Sequence, residues 1–294
     1  MNRASVLTLL TATVAVPGCA GRPASTAIGS KNFTEALLLG ELYAQLLEDN
    51  DLPVRRRLDL GGTDIAMAAL QRGEIDLYPE YTGTALLVVL KDRARGDAAQ
   101  TFEYVKAQYE SRFALTWLDP APMNNTQALA TTRAVAARFG LATLSDVAAK
   151  APQLRLGAVP EFVKRTDGLP GLKRAYGGFA FKDIRLVDFG LKYKALLAGD
   201  VDIVVAFGTD GAIVADDLVV MRDDKHLFPP YQVAPVVRAA TLQAHPAIAT
   251  HLNRLAPLLT DTVMRGLNNQ IDGTAKREPA DVAREFIKAH GLAG

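Results

Sequence analysis

Strand-like and helical segments alternate along most of this 294-residue chain. Short apolar runs such as Thr26 to Gly29 and Ile75 to Pro79 adjoin segments with apolar residues three and four positions apart, such as Phe33 to Glu48. This alternation predicts βαβ units, and therefore an α/β protein in which each sheet is mostly parallel and flanked by helices. The pattern stops at two proline-containing segments, Asp119 to Pro122 and Phe228 to Tyr231, because proline fixes the backbone and interrupts helices.

The two interruptions predict two lobes, because the chain crosses from one to the other and later returns. We expect residues 27–122 together with 232–294 to form an outer lobe, and residues 123–231 to form a middle lobe inserted into it. Ligands of open α/β sheets bind beyond the carboxyl ends of the strands. A ligand cleft between the two lobes follows from this arrangement.

The N-terminus has the composition of a secretory signal. Arg3 precedes an apolar run from Val6 to Val16, which is shorter than the about 20 residues that a spanning helix needs. Val16-Pro17-Gly18-Cys19 resembles the lipobox of bacterial lipoproteins, although Pro17 is unusual in that motif. We expect residues 1–18 to be a signal peptide and residues 19–26 a tether lipidated at Cys19. The protein would then be secreted across the cytoplasmic membrane and lipid-anchored, facing the periplasm or the cell exterior. An ordinary cleavage site with Cys19 incidental is the alternative.

Charge and motif content exclude several functional classes. The formal net charge of +1 offers no basic excess for phosphates, so no nucleic-acid partner is expected. A single cysteine and four histidines without metal-ligand spacing predict no metal site, and the sequence contains no P-loop or nucleophile elbow. We therefore expect no cofactor and no enzymatic activity. A hydrolase that uses Glu80 and Asp210 as a carboxylate pair is the alternative from another functional class.

An internal echo links the two predicted lobes. Residues 69–77 and 195–203 both read Ala-Leu-x-x-Gly-acid-apolar-Asp-apolar, and the same offset aligns Tyr81 with Phe207. Each of these aromatic residues follows the end of a predicted strand. The two rings therefore either face each other across the cleft or are core residues of similar βα units.

Seven motifs in order resemble one protein family over nearly the whole chain from Ile28. The motifs are residues 28–35 (IGSKNFTE), 60–63 (LGGT), 76–84 (DLYPEYTGT), 122–126 (PMNNT), 161–168 (EFVKRTDG), 209–211 (TDG) and 228–231 (FPPY). The chain is similar to the substrate-binding proteins of osmoprotectant ABC importers, which bind glycine betaine, choline and related quaternary amines. The resemblance implies a type II periplasmic-binding fold that closes around its ligand.

The resemblance also implies the site residues. A cation cage for the trimethylammonium group would comprise Tyr81, Gln127, Phe207 and Tyr231, with the backbone carbonyl of Asn125 pointing at the cation. Such a group has no N–H donor, so aromatic faces hold it through their quadrupoles. A clamp for the ligand carboxylate would comprise Lys31, Thr84 and Arg165.

One residue departs from the family pattern in a way that affects the ligand. Gln127 stands where most relatives have tyrosine, and an amide replaces a ring with a donor and an acceptor. Glycine betaine, choline or a related betaine is the expected ligand, and a larger betaine such as ergothioneine or carnitine is the alternative. The expected partners are this amine, the permease of an ABC importer and, through the lipid, a membrane. We expect a monomer; a module that feeds a sensor instead of an importer stays open.

Overall fold

The computed structural model of the protein describes residues 25–93 and 96–293. The expected signal peptide and Cys19 lie outside these residues. Thr26 is buried and begins the first strand, as the run from Thr26 to Gly29 predicts, so it does not belong to the expected tether. No helix in the described ranges is long and apolar enough to cross a membrane.

The described chain forms two five-stranded sheets, and the strands have corresponding positions and directions in the two sheets. The outer sheet has the order β2-β1-β3-β10-β4, and the middle sheet has the order β7-β6-β8-β5-β9. The strands are β1 (Thr26–Gly29), β2 (Val54–Arg57), β3 (Leu77–Tyr81), β4 (Leu115–Trp117), β5 (Gln127–Thr131), β6 (Arg155–Ala158), β7 (Asp183–Leu186), β8 (Ile203–Phe207), β9 (Val219–Val220) and β10 (Val233–Arg238). The outer sheet thus takes its strands from both ends of the chain, and the middle sheet takes them from the segment between.

Helices connect and cover these strands. They are α1 (Thr34–Glu48), α2 (Thr63–Arg72), α3 (Thr82–Thr84, continued by a π-helical turn over Ala85–Val89), α4 (Ala98–Phe113), α5 (Arg133–Phe139), α6 (Leu144–Lys150), α7 (Pro160–Lys164), α8 (Leu169–Tyr176), α9 (Lys192–Leu197), α10 (Ala212–Ala215), α11 (Ala239–Ala244), α12 (Ala247–Leu255), α13 (Asp261–Asp272) and α14 (Pro279–Ala289). The C-terminal helices pack with the outer lobe, where α14 lies against α1.

Four strands of each sheet run in the same direction and one runs against them, so each sheet is mostly parallel, as the βα alternation predicts. Within each sheet two neighbouring pairs are parallel and two are antiparallel. The antiparallel pairs involve β10 and β5, the first strands after each crossing between the lobes. Parallel neighbours in a sheet are joined by a crossover connection, usually a helix. The chain enters β10 and β5 directly from the other lobe, without such a connection, and these strands are antiparallel to their neighbours.

Apolar side chains cover both faces of each sheet. Along β10, Val233 and Val237 belong to one core cluster, whereas Ala234 and Val236 belong to another. Successive side chains of a strand point to opposite faces, so the outer sheet has a core on each side. Trp117 is 1% exposed and packs edge-on against Phe102 and Tyr109 in one of these cores.

Candidate ligand-binding site

One cavity between the two sheets brings all eight predicted ligand residues together. Its volume is about 40 Å³, so the surrounding side chains lie close together. The predicted residues that line it are Lys31, Tyr81, Thr84, Asn125, Gln127, Arg165, Phe207 and Tyr231. Tyr81 and Phe207 are the last residues of β3 and β8. Gln127 lies opposite Phe207 in the ladder and Val233 opposite Tyr81, so the antiparallel strands bring Gln127 and Tyr231 to the same rim.

The internal echo has a structural basis. Gly73 and Gly199 follow α2 and α9, and both have left-handed backbone angles (φ 73° and 75°), which favour glycine. Three residues later, Asp76 accepts a hydrogen bond from the backbone of β1, and Asp202 accepts one from the backbone of β6. The same βα unit therefore places one aromatic ring from each lobe in the cavity.

Three further rings that the sequence analysis did not assign complete an aromatic wall, those of Phe33, Phe162 and Phe189. Phe33 lies 6.0 Å from Tyr81 and 6.3 Å from Phe207, measured between ring centroids. Phe189 lies 5.5 Å from Phe33 and 5.9 Å from Phe207. Tyr231 packs on Gly83, where a Cβ atom would come within 2.8 Å of the tyrosine ring. The cavity is thus bounded by six aromatic rings, Phe33, Tyr81, Phe162, Phe189, Phe207 and Tyr231.

A fully buried carboxylate adjoins the aromatic wall. Glu35, in the first turn of α1, accepts hydrogen bonds at Oε1 from the Tyr81 hydroxyl and from Asn125 Nδ2, both at 2.8 Å. Its Oε2 accepts from the Thr209 hydroxyl (2.5 Å) and from Asn268 Nδ2 (2.8 Å). Burial raises the pKa of Glu35 to about 7, although the hydrogen bonds act in the opposite direction.

The lysine of the predicted clamp is already paired. Lys31 Nζ lies 2.5 Å from Glu80 Oε1, and both side chains are buried. The same ammonium lies 5.3 Å from the centroid of the Tyr81 ring. Glu80 also accepts hydrogen bonds from the Tyr78 hydroxyl and the Tyr81 backbone, so it fixes the strand end that carries the ring.

The arginine of the predicted clamp is also paired with a carboxylate. Arg165 donates through Nε (2.8 Å) and Nη2 (2.6 Å) to the two oxygens of Asp167, and its Nη2 is 3.3 Å from the Thr84 hydroxyl. Asp167 Oδ2 further accepts from Gln127 Nε2 (2.6 Å) and the Tyr231 hydroxyl (2.7 Å). Burial would raise the pKa of Asp167, but the Arg165 guanidinium outweighs it and lowers the pKa. Gln127 is therefore part of a polar network instead of an aromatic face.

A wider cavity, called here the outer cavity, adjoins the first one, and Phe33, Phe189 and Phe207 line both. Its volume is about 920 Å³. Lys192 and Asp210, which pair at 2.6 Å, line it.

Further polar side chains lie in or near the two cavities. The Thr63 hydroxyl, at the first residue of α2, is buried and has no hydrogen-bond partner among the described residues. Glu80 and Asp210, the conceivable hydrolase pair, are each held by a lysine and a tyrosine hydroxyl of their own lobe. No group of three or more potential metal ligands occurs among residues 25–93 and 96–293.

Comparisons with known proteins agree with this geometry. A sequence profile described as the substrate-binding domain of ABC-type glycine betaine transport systems matches residues 25–289. The glycine-betaine-binding protein of Pseudomonas aeruginosa is 37% identical over 275 residues, which cover 90% of this chain and 88% of that protein. An ergothioneine transport permease/ergothioneine binding protein of Helicobacter pylori is 34% identical over 266 residues; these cover 90% of this chain but only 47% of that longer protein.

A solved structure titled as a glycine betaine/carnitine/choline ABC transporter is similar throughout. It has a TM-score of 0.74 and 32% sequence identity, with 92% of this chain and 100% of that chain covered. The similarity confirms the expected two-lobed periplasmic-binding fold of type II.

Proposed function

Since this chain belongs to the family of substrate-binding domains of ABC-type glycine betaine transport systems, we propose that it captures a quaternary ammonium solute outside the cytoplasm and delivers it to an importer permease. The observation that carries the proposal is the cavity wall of six aromatic rings, drawn from both lobes. Aromatic faces attract a cation that cannot donate hydrogen bonds, by about 0.5–2 kcal/mol per ring.

The head group of the solute would lie against Tyr81, Phe207 and Tyr231, and its polar arm would reach Lys31, Thr84 and Arg165. Arg165 keeps hydrogens for a ligand, because Asp167 engages Nε and Nη2 whereas Nη1 has only a 3.4 Å contact with Glu161. Lys31 pairs with Glu80 through one of its three N–H groups and would donate a hydrogen bond to the ligand at the same end.

The candidate ligands are glycine betaine, choline and a related betaine. A larger betaine such as ergothioneine or carnitine is a second candidate, because Gln127 gives the cavity an amide in place of a ring. The similarity to an ergothioneine-binding relative and to a glycine-betaine-binding relative supports both.

Closure of the two lobes would assemble the site. Residues 27–122 with 232–294 would move as one lobe and residues 123–231 as the other, since Tyr81 and Phe207 belong to different sheets. Cys19 would anchor the protein by its lipid, so that a monomer delivers solute to the membrane permease. Replacing Cys19 by alanine would then release the protein from the membrane fraction.

A thermal-shift screen of quaternary amines on the purified protein tests the function. A ligand at 100 times its Kd stabilises the folded state by about 2.7 kcal/mol, which corresponds to a Tm increase of roughly 5–10 °C for a chain of this size. We expect at least one of glycine betaine, choline, carnitine and ergothioneine to reach this shift, and the Tyr81→Ala variant to lose most of it. No shift with any of the four at 10 mM would refute the proposal.

A further inference from the structure

The buried carboxylate of Glu35 has no positively charged partner in the part of the chain that the structure describes. Its four hydrogen-bond donors are neutral groups, those of Tyr81, Asn125, Thr209 and Asn268. Buried charges in proteins are normally paired, because an isolated charge loses its hydration without compensation.

The nearby cations of the protein are committed elsewhere. Lys31 pairs with Glu80 at 2.5 Å, and Lys192 pairs with Asp210 at 2.6 Å. Each of those two carboxylates neutralises its lysine. Glu35 therefore leaves one unbalanced negative charge directly beyond the Tyr81 hydroxyl, at the edge of the aromatic wall.

We propose that Glu35 is the buried counter-ion of the bound quaternary ammonium, and that it selects quaternary over primary amines. This inference rests on the proposed function and names the feature of the site that recognises the ligand's charge. Glu35 acts through Tyr81 and Asn125, which line the cavity, and is therefore a positioning residue that also supplies a charge.

The selection follows from the saturation of the Glu35 carboxylate. An ionised carboxylate has about four lone-pair sites, and all four are occupied by the donors above. The side-chain oxygen of Asn125 is a buried acceptor without a partner among the described residues. A primary ammonium has three N–H hydrogens, and this oxygen cannot accept from all three. A quaternary ammonium needs no acceptor and gains the attraction of the carboxylate without a desolvation penalty for N–H groups.

The carboxylate also joins the two lobes. Glu35 belongs to the outer lobe, whereas Thr209 follows β8 of the middle lobe and lies two residues after Phe207. The hydrogen bond between Glu35 and Thr209 forms only when the lobes approach. Closure therefore brings the ring of Phe207 and the negative charge to the ligand together.

The test compares a charged ligand with its neutral isostere. Choline and 3,3-dimethylbutan-1-ol differ in that a carbon replaces the nitrogen. We expect Glu35→Gln to lower the affinity for choline at least 10-fold more than the affinity for 3,3-dimethylbutan-1-ol, measured by calorimetry. A loss common to both ligands would report the contact between Glu35 and Thr209 of the other lobe. Wild-type protein should also prefer choline to ethanolamine by at least 100-fold, and Glu35→Gln should reduce this preference.

Glu41→Gln is the matched control, because Glu41 is a buried glutamate of the same helix that pairs with Arg56 outside the cavity. It should bind choline as wild-type protein does. An unchanged choline affinity in Glu35→Gln, or equal losses for choline and its isostere, would overturn the counter-ion assignment. Failure of wild-type protein to bind any quaternary amine would instead refute the proposed function.

A second measurement on wild-type protein decides the matter even if Glu35→Gln does not fold. With ¹³C-labelled glutamate, the Glu35 carboxyl resonance should show an ionised group at pH 6 in the choline complex. The titratable groups near Glu35 are Tyr43 and Tyr81, which remain neutral at this pH, and Asp210, which Lys192 neutralises. A protonated Glu35 in that complex would overturn the proposal.

Discussion

Replacing Asp167 by asparagine should destabilise the protein and change its ligand preference. The side chain of Asp167 is fully buried, and that of Arg165 is 14% exposed. Removing one partner of a buried ion pair costs about 3–5 kcal/mol, because the other charge stays buried without compensation. The residual exposure of Arg165 places the expected loss near the lower limit, at about 3 kcal/mol. Urea denaturation of the two proteins at pH 7 measures this difference in the free energy of unfolding.

The pH dependence of that difference has a defined sign. Arg165 lowers the pKa of Asp167 in the folded protein, so its contribution is present above the ordinary aspartate pKa of about 3.9 and is lost as the pH falls below it. The gap between wild-type protein and Asp167→Asn should therefore shrink towards pH 3.

The ligand response separates two explanations of the destabilisation. The substitution frees the Nε and Nη2 groups of Arg165, which a ligand carboxylate can then engage as a fork. Glycine betaine should consequently restore more stability to Asp167→Asn than choline does at equal saturation of the wild-type protein. A loss below 1 kcal/mol, or the same recovery with both ligands, would refute the reasoning about this ion pair.

Three other expectations concern the cage, the charge beside it and the lobes. Gln127→Tyr should tighten glycine betaine binding by about 0.5–2 kcal/mol, because it adds a ring, and should weaken ergothioneine binding; calorimetry showing no change for either ligand would place residue 127 outside the site. Without ligand, stability should fall by about 3 kcal/mol as the pH rises from 4.5 to 7, since the folded protein binds the Glu35 proton more tightly than the unfolded chain does; denaturation of Glu35→Gln should lack this decrease. Small-angle scattering should show a smaller radius of gyration with saturating ligand, and an unchanged radius would contradict closure.

The order of strands and helices was predictable, whereas the pairing of the strands was not. Helical spacing predicted a helix over Phe33 to Glu48, and α1 (Thr34–Glu48) has these bounds to within one residue. The segment Gln127–Thr131 gave no such signal, because two of its five residues are alanine and it follows polar turn residues. Its place in the sheet depends on contacts with Phe207 and Val204, more than 70 residues away.

Residues of the cavity were predictable where they belong to a family motif. They were not predictable where only contacts in the folded protein bring them to the cavity. Resemblance to the family led to Tyr81 and Tyr231, and the structure places both in one cavity. Phe189 follows β7 without a pattern that distinguishes a cavity ring from a core ring. The acceptor role of Asp167 towards Gln127 and Tyr231 depends on side-chain geometry across the cleft, which spacing in the sequence does not encode.

The direct contacts of Phe33 with Phe189 and Phe207 affect how much the closed fraction of the protein differs with and without ligand. These contacts join the lobes through protein atoms alone, and each ring pair contributes about 0.5–1.5 kcal/mol. They therefore raise the share of empty molecules that adopt the closed shape, which improves the apparent affinity because less binding energy is used for closing. The same contacts narrow the difference between loaded and empty molecules that a transporter can detect. Stronger contacts among these rings would thus favour tight binding, whereas weaker contacts would favour a low rate of transport cycles without ligand.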